Sequence, residues 1–460
     1  MRLPRWLPEA LLAVTALFFV FRELGTFPAV WNDDGLFMIV AKSFASGHGY
    51  VMPILGREWA YPYFLAVGPT LILPVALSMK LFGISALAAR IPMALYLLGA
   101  SALFYVLANR LTNRTAARYG TALLITLSAF VNTGKPVLGE IPAAFFLLLG
   151  LLLWPRAERS FAWSVLCGAV LGLAILTKLT YGLVLPAIGV AWILTCTQRQ
   201  WRISWKLAII GVTAFLVFLP WRILEASQQP GLLGEFLFLL GGTGENPVPF
   251  LTIPENPSIL LRFPFFAYAF FLITGSIGMR RVWIRDQSRL LTVIASMIAL
   301  FTLYFLTSFG WYRHILFAHI LLLPFVPVGV LYLFRKRVGS VVLLLIIFLQ
   351  TAWQWDHRGA SSSTYGAAAA AWVREEYADK DLIIQQAEVF AVLPENPHWL
   401  YLTNPILSRH LPTHFVTPDE RHRCMPVLRR LSEEDRKEFF GRLIPVAGPY
   451  FLVEPPAHCL

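Results

Sequence analysis

Four small groups of polar residues could do chemistry in this otherwise apolar chain: Asp33-Asp34 in WNDDGLF, Glu140 in GKPVLGEIP, Lys178 in ILTKLTYG and Arg313-His314 in GWYRHIL. Each borders a long apolar run, where an ionisable side chain is costly unless it is solvated, paired or functional. Together they offer carboxylates and cations but no nucleophilic serine or cysteine set. That inventory suits displacement at a carbon already carrying a phosphate leaving group. Cations neutralise the departing phosphate, and one carboxylate removes the proton of the incoming hydroxyl, an effect typically worth about 10²–10⁴-fold. Hydrolysis of a glycosidic bond would instead call for two carboxylates flanking one bond.

Each group also has a bland reading. Asn32 or Asp33 could cap a short interfacial helix over 34–46, with Asp34 in its first turn. Glu140 could be a helix-start acid before Pro142, and Lys178 could merely snorkel to the lipid interface. Trp311 and Tyr312 beside Arg313 are ordinary interfacial aromatics, His319 reads as a satisfied structural histidine, and Arg57, Arg90 and Arg262 read as anchors.

The elements that must position these residues are membrane helices. Only 14% of the 460 residues are charged, against about a quarter in soluble domains, and 57% are hydrophobic. The apolar residues fall in runs near the roughly 20 needed to cross a bilayer core, and a spanning run must be helical to satisfy its own backbone. Twelve runs occur: 7–29, 61–82, 91–109, 117–133, 140–154, 161–177, 180–197, 206–222, 262–279, 290–308, 312–334 and 338–353. The net charge of +12 does not signal nucleic acid, because the basic residues sit in short clusters between apolar runs. Those clusters, at Arg110/Arg114/Arg118, Arg156/Arg159, Arg199/Arg202/Lys206, Arg280/Arg281/Arg285/Arg289 and Arg335/Lys336/Arg337, belong on the cytoplasmic side. Arg2 and Arg5 argue that the N-terminus lies there as well, in which case one early run does not cross; the alternative is twelve true spans with the N-terminus outside, which leaves Arg2 and Arg5 misplaced. The run 61–82, with Pro62, Pro69 and Pro74, is the expected exception, lying at the interface or re-entering.

Eleven crossings then deliver Asp33, Asp34, Glu140, Lys178 and Arg313 to the outer face, where the distant acids could converge. The tail from 354 onward is also outside and reads as a small α/β domain, helical over 363–377 and strand-like at 381–385 and 450–454. Cys424 and Cys459 could pair there in an oxidising compartment, whereas Cys167 and Cys196 lie in apolar runs. The sequon Asn113-Arg114-Thr115 falls on the cytoplasmic side and is a chance match.

The order of these features resembles the GT-C superfamily of membrane glycosyltransferases, nearest the branch of protein O-mannosyltransferases and lipid A aminoarabinose transferases, over roughly residues 1–335. WNDDG matches the family's acidic pair after the first span, with Asp34 where the family usually has Glu. REWAYPYFLAVGPTLILP matches its proline-bearing outer stretch, without the paired prolines of some members. ALAARIPMALYLLG matches its alanine–arginine span opening, Glu140 its second outer acid, TKLTYGLVLP its lysine turn and WYRHILFAHILLLP its arginine–aromatic entry to a late span.

The expected fold is therefore an all-α polytopic membrane protein of about eleven transmembrane helices plus one interfacial or re-entrant segment. A transmembrane glycosyltransferase domain covers 1–353, and a small extracytoplasmic α/β domain covers 354–460. The resemblance implies inverting transfer of a sugar from a polyprenyl-phosphate donor to a lipid, glycan or protein acceptor at the outer face of the inner cell membrane. It makes Asp33 the base, and Asp34, Glu140, Lys178, Arg313 and His314 substrate-binding residues. Related enzymes differ in metal use, so a divalent cation could sit at the acids. The rival readings are a lipid or small-anion transporter or flippase and a non-catalytic subunit of an envelope complex.

Overall fold

A computed structural model describes residues 4, 6–227, 263–285, 288–306, 312–356, 360–403, 413–438, 442–455 and 459. Arg2, Arg5, Arg262 and Trp311 lie outside the described residues. All twelve apolar runs carry a helix or a broken pair of helices along most of their length. Six helices among the described residues are long and apolar enough to cross a bilayer, and the pair Tyr312–Leu322 and Val326–Leu333, bent by 67°, makes a seventh if it counts as one span. The chain is thus a mostly helical, multi-pass membrane protein, and the expected count of eleven spans exceeds what length and composition alone support. The run 61–82 divides into a single 3₁₀ turn, Tyr63–Leu65, and the helix Pro69–Phe82. At 14 residues this helix rises about 21 Å, short of the roughly 30 Å core, as are the apolar helices Leu7–Phe21 and Phe161–Thr177, so length alone does not single it out as the run that fails to cross.

By packing, the chain forms two compact units. The first comprises 1–22, 94–134 and 139–359. Its helices Phe161–Thr177 and Trp201–Ala226 pack closely because Gly168 and Gly172, four residues apart, leave room for the carbonyls of Ile210 and Ala214. A Cβ at either glycine would lie 2.6 or 2.7 Å from those oxygens.

The contacts within this unit sort the basic clusters onto one face. Glu9, near the start of the helix Leu7–Phe21, pairs with Arg114 at 2.7 Å and Arg118 at 2.8 Å and accepts from the Tyr105 hydroxyl. Arg110 donates to the Leu152 carbonyl, Lys206 to the Glu158 carbonyl, and Arg289 lies 3.6 Å from the Glu158 carboxylate. The start of the first helix and the first basic cluster therefore share a face, the pairing expected if 61–82 does not cross. Asn113 has a local explanation: its side chain caps the helix Arg114–Thr126 by accepting from the Ala116 amide at 3.0 Å.

The second unit comprises 23–93, 135–138 and 360–460, so the tail packs as one body with two earlier stretches of chain. It holds the helix Asn32–Ala45, a hairpin of β1 (Val51–Ile54) and β2 (Arg57–Ala60), and the helix Pro69–Phe82. The tail adds the helix Tyr365–Glu376 and a five-stranded sheet of order β4-β3-β5-β7-β6, the small α/β domain expected. Its strands are β3 (Leu382–Ile384), β4 (Trp399–Tyr401), β5 (Val427–Arg430), β6 (Leu443–Ala447) and β7 (Tyr450–Val453). β3 runs parallel to β4 and β5, and β7 antiparallel to β5 and β6. Cys424 and Cys459 form a disulfide, while Cys167 is free and buried.

Candidate functional site

The polar groups fall into two constellations, one in each unit. In the first unit the helix Glu140–Ala157 opens on Glu140, and the Lys178 ammonium lies 3.5 Å from its carboxylate. Lys178 reaches it because the helix Phe161–Thr177 stops there. Lys178 is extended, with φ −148° and ψ 119°, before the 3₁₀ turn Leu179–Leu183. The approach needs Gly139, where a Cβ would meet the Lys178 side chain at 3.0 Å and the Thr177 carbonyl at 3.1 Å. The Tyr181 hydroxyl donates to the Glu140 carbonyl and fixes the turn.

Arg313 and His314, in the first turn of the helix Tyr312–Leu322, lie close enough to act on the Glu140 charge. The His314 ring sits 5.5 Å from that of Tyr304. Four of the expected site residues are thus brought together. Lys178 does not snorkel; it is 14% exposed beside a carboxylate 9% exposed. One Glu140 oxygen has no hydrogen-bond partner among the described residues, an arrangement that leaves valence for a ligand. This cluster stands at the opposite end of the helix Glu140–Ala157 from Glu158 and the basic face, about 27 Å away along 18 residues.

In the second unit Asp33 and Asp34 lie in the first turn of the helix Asn32–Ala45. Neither Asn32 nor Asp33 caps it; the cap position is Trp31, with no side-chain capping bond, which corrects the bland reading of the pair. Asp34 is fully buried: one oxygen accepts from Arg90 at 2.8 Å, the other from the Val137 amide at 2.6 Å. Arg90 is itself 0% exposed and also donates to the Leu24 carbonyl, so it is an internal counter-ion and not the surface anchor expected. Asp33 is half-buried and accepts from the Asn32 amide at 3.4 Å. Both Asp34 oxygens are engaged by protein groups, and among the described residues no three His, Cys, Asp or Glu side chains cluster as metal ligands.

Several polar residues escaped the sequence reading. Lys42 is 3% exposed and donates to the carbonyls of Phe390 and Leu393; its signal was a lone lysine inside the apolar stretch GLFMIVAKSF. Lys135 is buried, 5.9 Å from the Phe27 ring. Glu388, 5% exposed, accepts from the Tyr450 hydroxyl at 2.9 Å, and burial raises its pKa above the usual carboxylate range. Arg222 and Glu225 form a buried pair at 3.2 Å near the end of a span. His319 is fully buried; its Nδ1 is bonded to the Tyr312 hydroxyl, but its Nε2 has no partner among the described residues, so it is only half satisfied.

Comparison with known proteins adds three findings. A family model described as dolichyl-phosphate-mannose-protein mannosyltransferase matches residues 67–223. An uncharacterized protein of Aquifex aeolicus (strain VF5) is 30% identical over 183 residues, which is 38% of this chain and only 35% of that relative's length. Among solved structures, ArnT from Cupriavidus metallidurans bound to undecaprenyl phosphate superposes with a TM-score of 0.70 over 99% of both chains, at 15% identity. The archaeal oligosaccharyltransferase AglB from Archaeoglobus fulgidus, in complex with an inhibitory peptide and a dolichol-phosphate, gives 0.61 over 87% of this chain and 64% of its own, at 13% identity. The chain therefore shares the fold of these membrane glycosyltransferases along most of its length, the fold that the resemblance to the GT-C superfamily implies.

Proposed function

We propose that the protein transfers a sugar from a polyprenyl-phosphate-linked donor to a hydroxyl or amine of a lipid, glycan or protein acceptor on the extracytoplasmic side of the inner membrane. The observation that carries this is the Glu140–Lys178 pair with Arg313 and His314 beside it, partly open and at the far end of a helix from the basic face. Two structural neighbours are described as binding a polyprenyl phosphate, which supports the donor class. Sidedness is supported by the five basic clusters, which belong in the cytoplasm, and by the Cys424–Cys459 disulfide in the tail.

In the proposed reaction the acceptor oxygen or nitrogen attacks the anomeric carbon. The bond from that carbon to the phosphate oxygen breaks, configuration inverts, and the acceptor proton passes to the Asp33 carboxylate. Lys178 and Arg313 hold the departing phosphate dianion, while Glu140 sets the Lys178 ammonium and orients the sugar together with His314. Asp34 acts from its buried ion pair with Arg90, holding the first helical turn so that Asp33 faces the acceptor.

Purified protein given a polyprenyl-phosphate sugar and an acceptor should release polyprenyl phosphate. A transporter or flippase would move the lipid without releasing it, and that outcome would sink the proposal. Sidedness has its own test: cysteines replacing Asp33, Ser85, Glu140 and Asp356 should all react with an impermeant thiol reagent from outside.

A further inference from the structure

The helix that carries the acidic pair rests on the tail's 387–393 segment at two places. At Gly35 an added Cβ would lie 2.5 Å from the Ala387 carbonyl carbon and 2.6 Å from the Glu388 nitrogen, so the first turn sits directly on that backbone. Seven residues on, and hence on the same helix face, Lys42 reaches the other end of the segment. Its ammonium donates to the Phe390 carbonyl at 3.0 Å and the Leu393 carbonyl at 3.1 Å, and lies 4.0 Å from the centre of the Phe390 ring. Met38, Ile39, Val40 and Ala41 around it are all fully buried.

A charge in such surroundings is a poor way to gain stability, since an apolar side chain of similar volume would avoid the desolvation cost. What the ammonium supplies is direction. Two carbonyls from different turns of the 387–393 segment meet one nitrogen, which fixes both the rotation and the axial register of the helix. The proton acceptor Asp33 sits nine residues before Lys42 on that same rigid rod.

We infer that Lys42 is a positioning residue for Asp33: through Phe390 and Leu393 it locks the acidic helix to the C-terminal domain, which is thereby part of the catalytic machinery. This rests on Asp33 being the base.

The test uses the full-length protein in detergent, with kcat normalised to monodisperse protein. Lys42→Met should lower kcat at least tenfold while leaving the KM for the polyprenyl-phosphate sugar within twofold. Its thermal midpoint should be no lower than that of the parent. Lys42→Gln, which retains N–H donors, should fall between the two, and it serves in place of Lys42→Met if that variant proves unstable. Gly35→Ala, which lifts the first turn off Ala387, should reproduce the kcat loss. In an Asp33→Asn background Lys42→Met should cost nothing further, because there is no base left to position. A kcat within twofold of the parent for Lys42→Met, or a full additional loss in the Asp33→Asn background, overturns the inference. Unchanged activity of Asp33→Asn alone would instead remove the base assignment, and the two failures are told apart by which single variant behaves as the parent.

Discussion

Two buried acid–base pairs, built from the same kinds of residue, differ in how much bonding capacity they keep back. The Arg90–Asp34 pair is closed: both side chains are 0% exposed, the ions meet at 2.8 Å, and the second Asp34 oxygen is taken by the Val137 amide. The Glu140–Lys178 pair is looser, at 3.5 Å and partly exposed, and one Glu140 oxygen has no partner among the described residues. With both oxygens engaged and no exposure, the Asp34 carboxylate has nothing left to offer a substrate, although Arg90 Nε lacks a partner among the described residues, and the pair serves to hold backbone in place. An open pair, with two further basic side chains acting on it, can exchange protein contacts for a phosphate with little desolvation left to supply. The comparison separates positioning from binding among residues that look equivalent as letters in a sequence.

The sharpest way to break the comparison lies at the residue beside the closed pair. Asp33→Asn removes the proposed base while leaving Arg90–Asp34 intact, so sugar transfer should drop about 10²–10⁴-fold with donor binding unchanged. Measured turnover within a factor of ten of the parent would remove Asp33 from the mechanism. Next in size is Arg90→Met, which strands the fully buried Asp34 carboxylate without its counter-ion. Breaking a buried pair from one side costs about 3–5 kcal/mol, so this variant should show a large loss of thermal stability, and the protein that stays folded should turn over more slowly with donor binding unchanged, because the turn that aims Asp33 is released. Lys178→Met should do the reverse. It should weaken polyprenyl-phosphate binding by roughly tenfold to a hundredfold, as expected for a charged hydrogen bond of about 1.5–3 kcal/mol, and change the melting midpoint little. If both variants lost stability equally and bound lipid equally, the closed–open distinction would have no functional content.

How much of this was legible beforehand follows the same division. Asp33-Asp34, Glu140, Lys178 and Arg313-His314 could be found because each interrupts or borders an apolar run, and an ionisable group there is conspicuous. The basic clusters were conspicuous too, and the contacts of Glu9, Glu158, Lys206 and Arg289 draw several of them together within the first unit. Arg90 was read wrongly as an anchor because its sequence neighbours, Ala88, Ala89 and Pro92, say nothing about a partner 56 residues away. Lys42 and Glu388 were passed over for the same reason: their partners, Phe390, Leu393 and Tyr450, are fixed by tertiary packing of the tail. In the tail itself β3 and β7 stood out as apolar runs, whereas β4, β5 and β6 did not. Of the last three, β5 carries Arg429 and Arg430 and β6 carries Pro445, which break their apolar pattern.

The smallest expected effect concerns Lys42, which belongs to neither kind of pair: it is buried like Arg90 but held by carbonyls instead of a carboxylate. Burial pushes its ammonium down to about 7 from the usual 10.5, with the Glu395 carboxylate, the charged group acting on it, opposing that shift. In the unfolded chain Lys42 keeps its proton up to about 10.5, so between those two values the unfolded state binds more protons than the folded one. Stability contributed by this residue should therefore rise with pH across that window, at up to about 1.4 kcal/mol per pH unit, and show no slope below 7, where both states are protonated. The measurement is the difference in thermal midpoint between the parent and Lys42→Met at pH 6, 7.5 and 9: the parent should gain on the variant at the two higher values only. A difference that is flat from pH 6 to 9 would mean that the Phe390 and Leu393 carbonyls hold the proton as firmly as water does. Lys42 would then resemble the closed pair after all, with its charge fully compensated inside the fold.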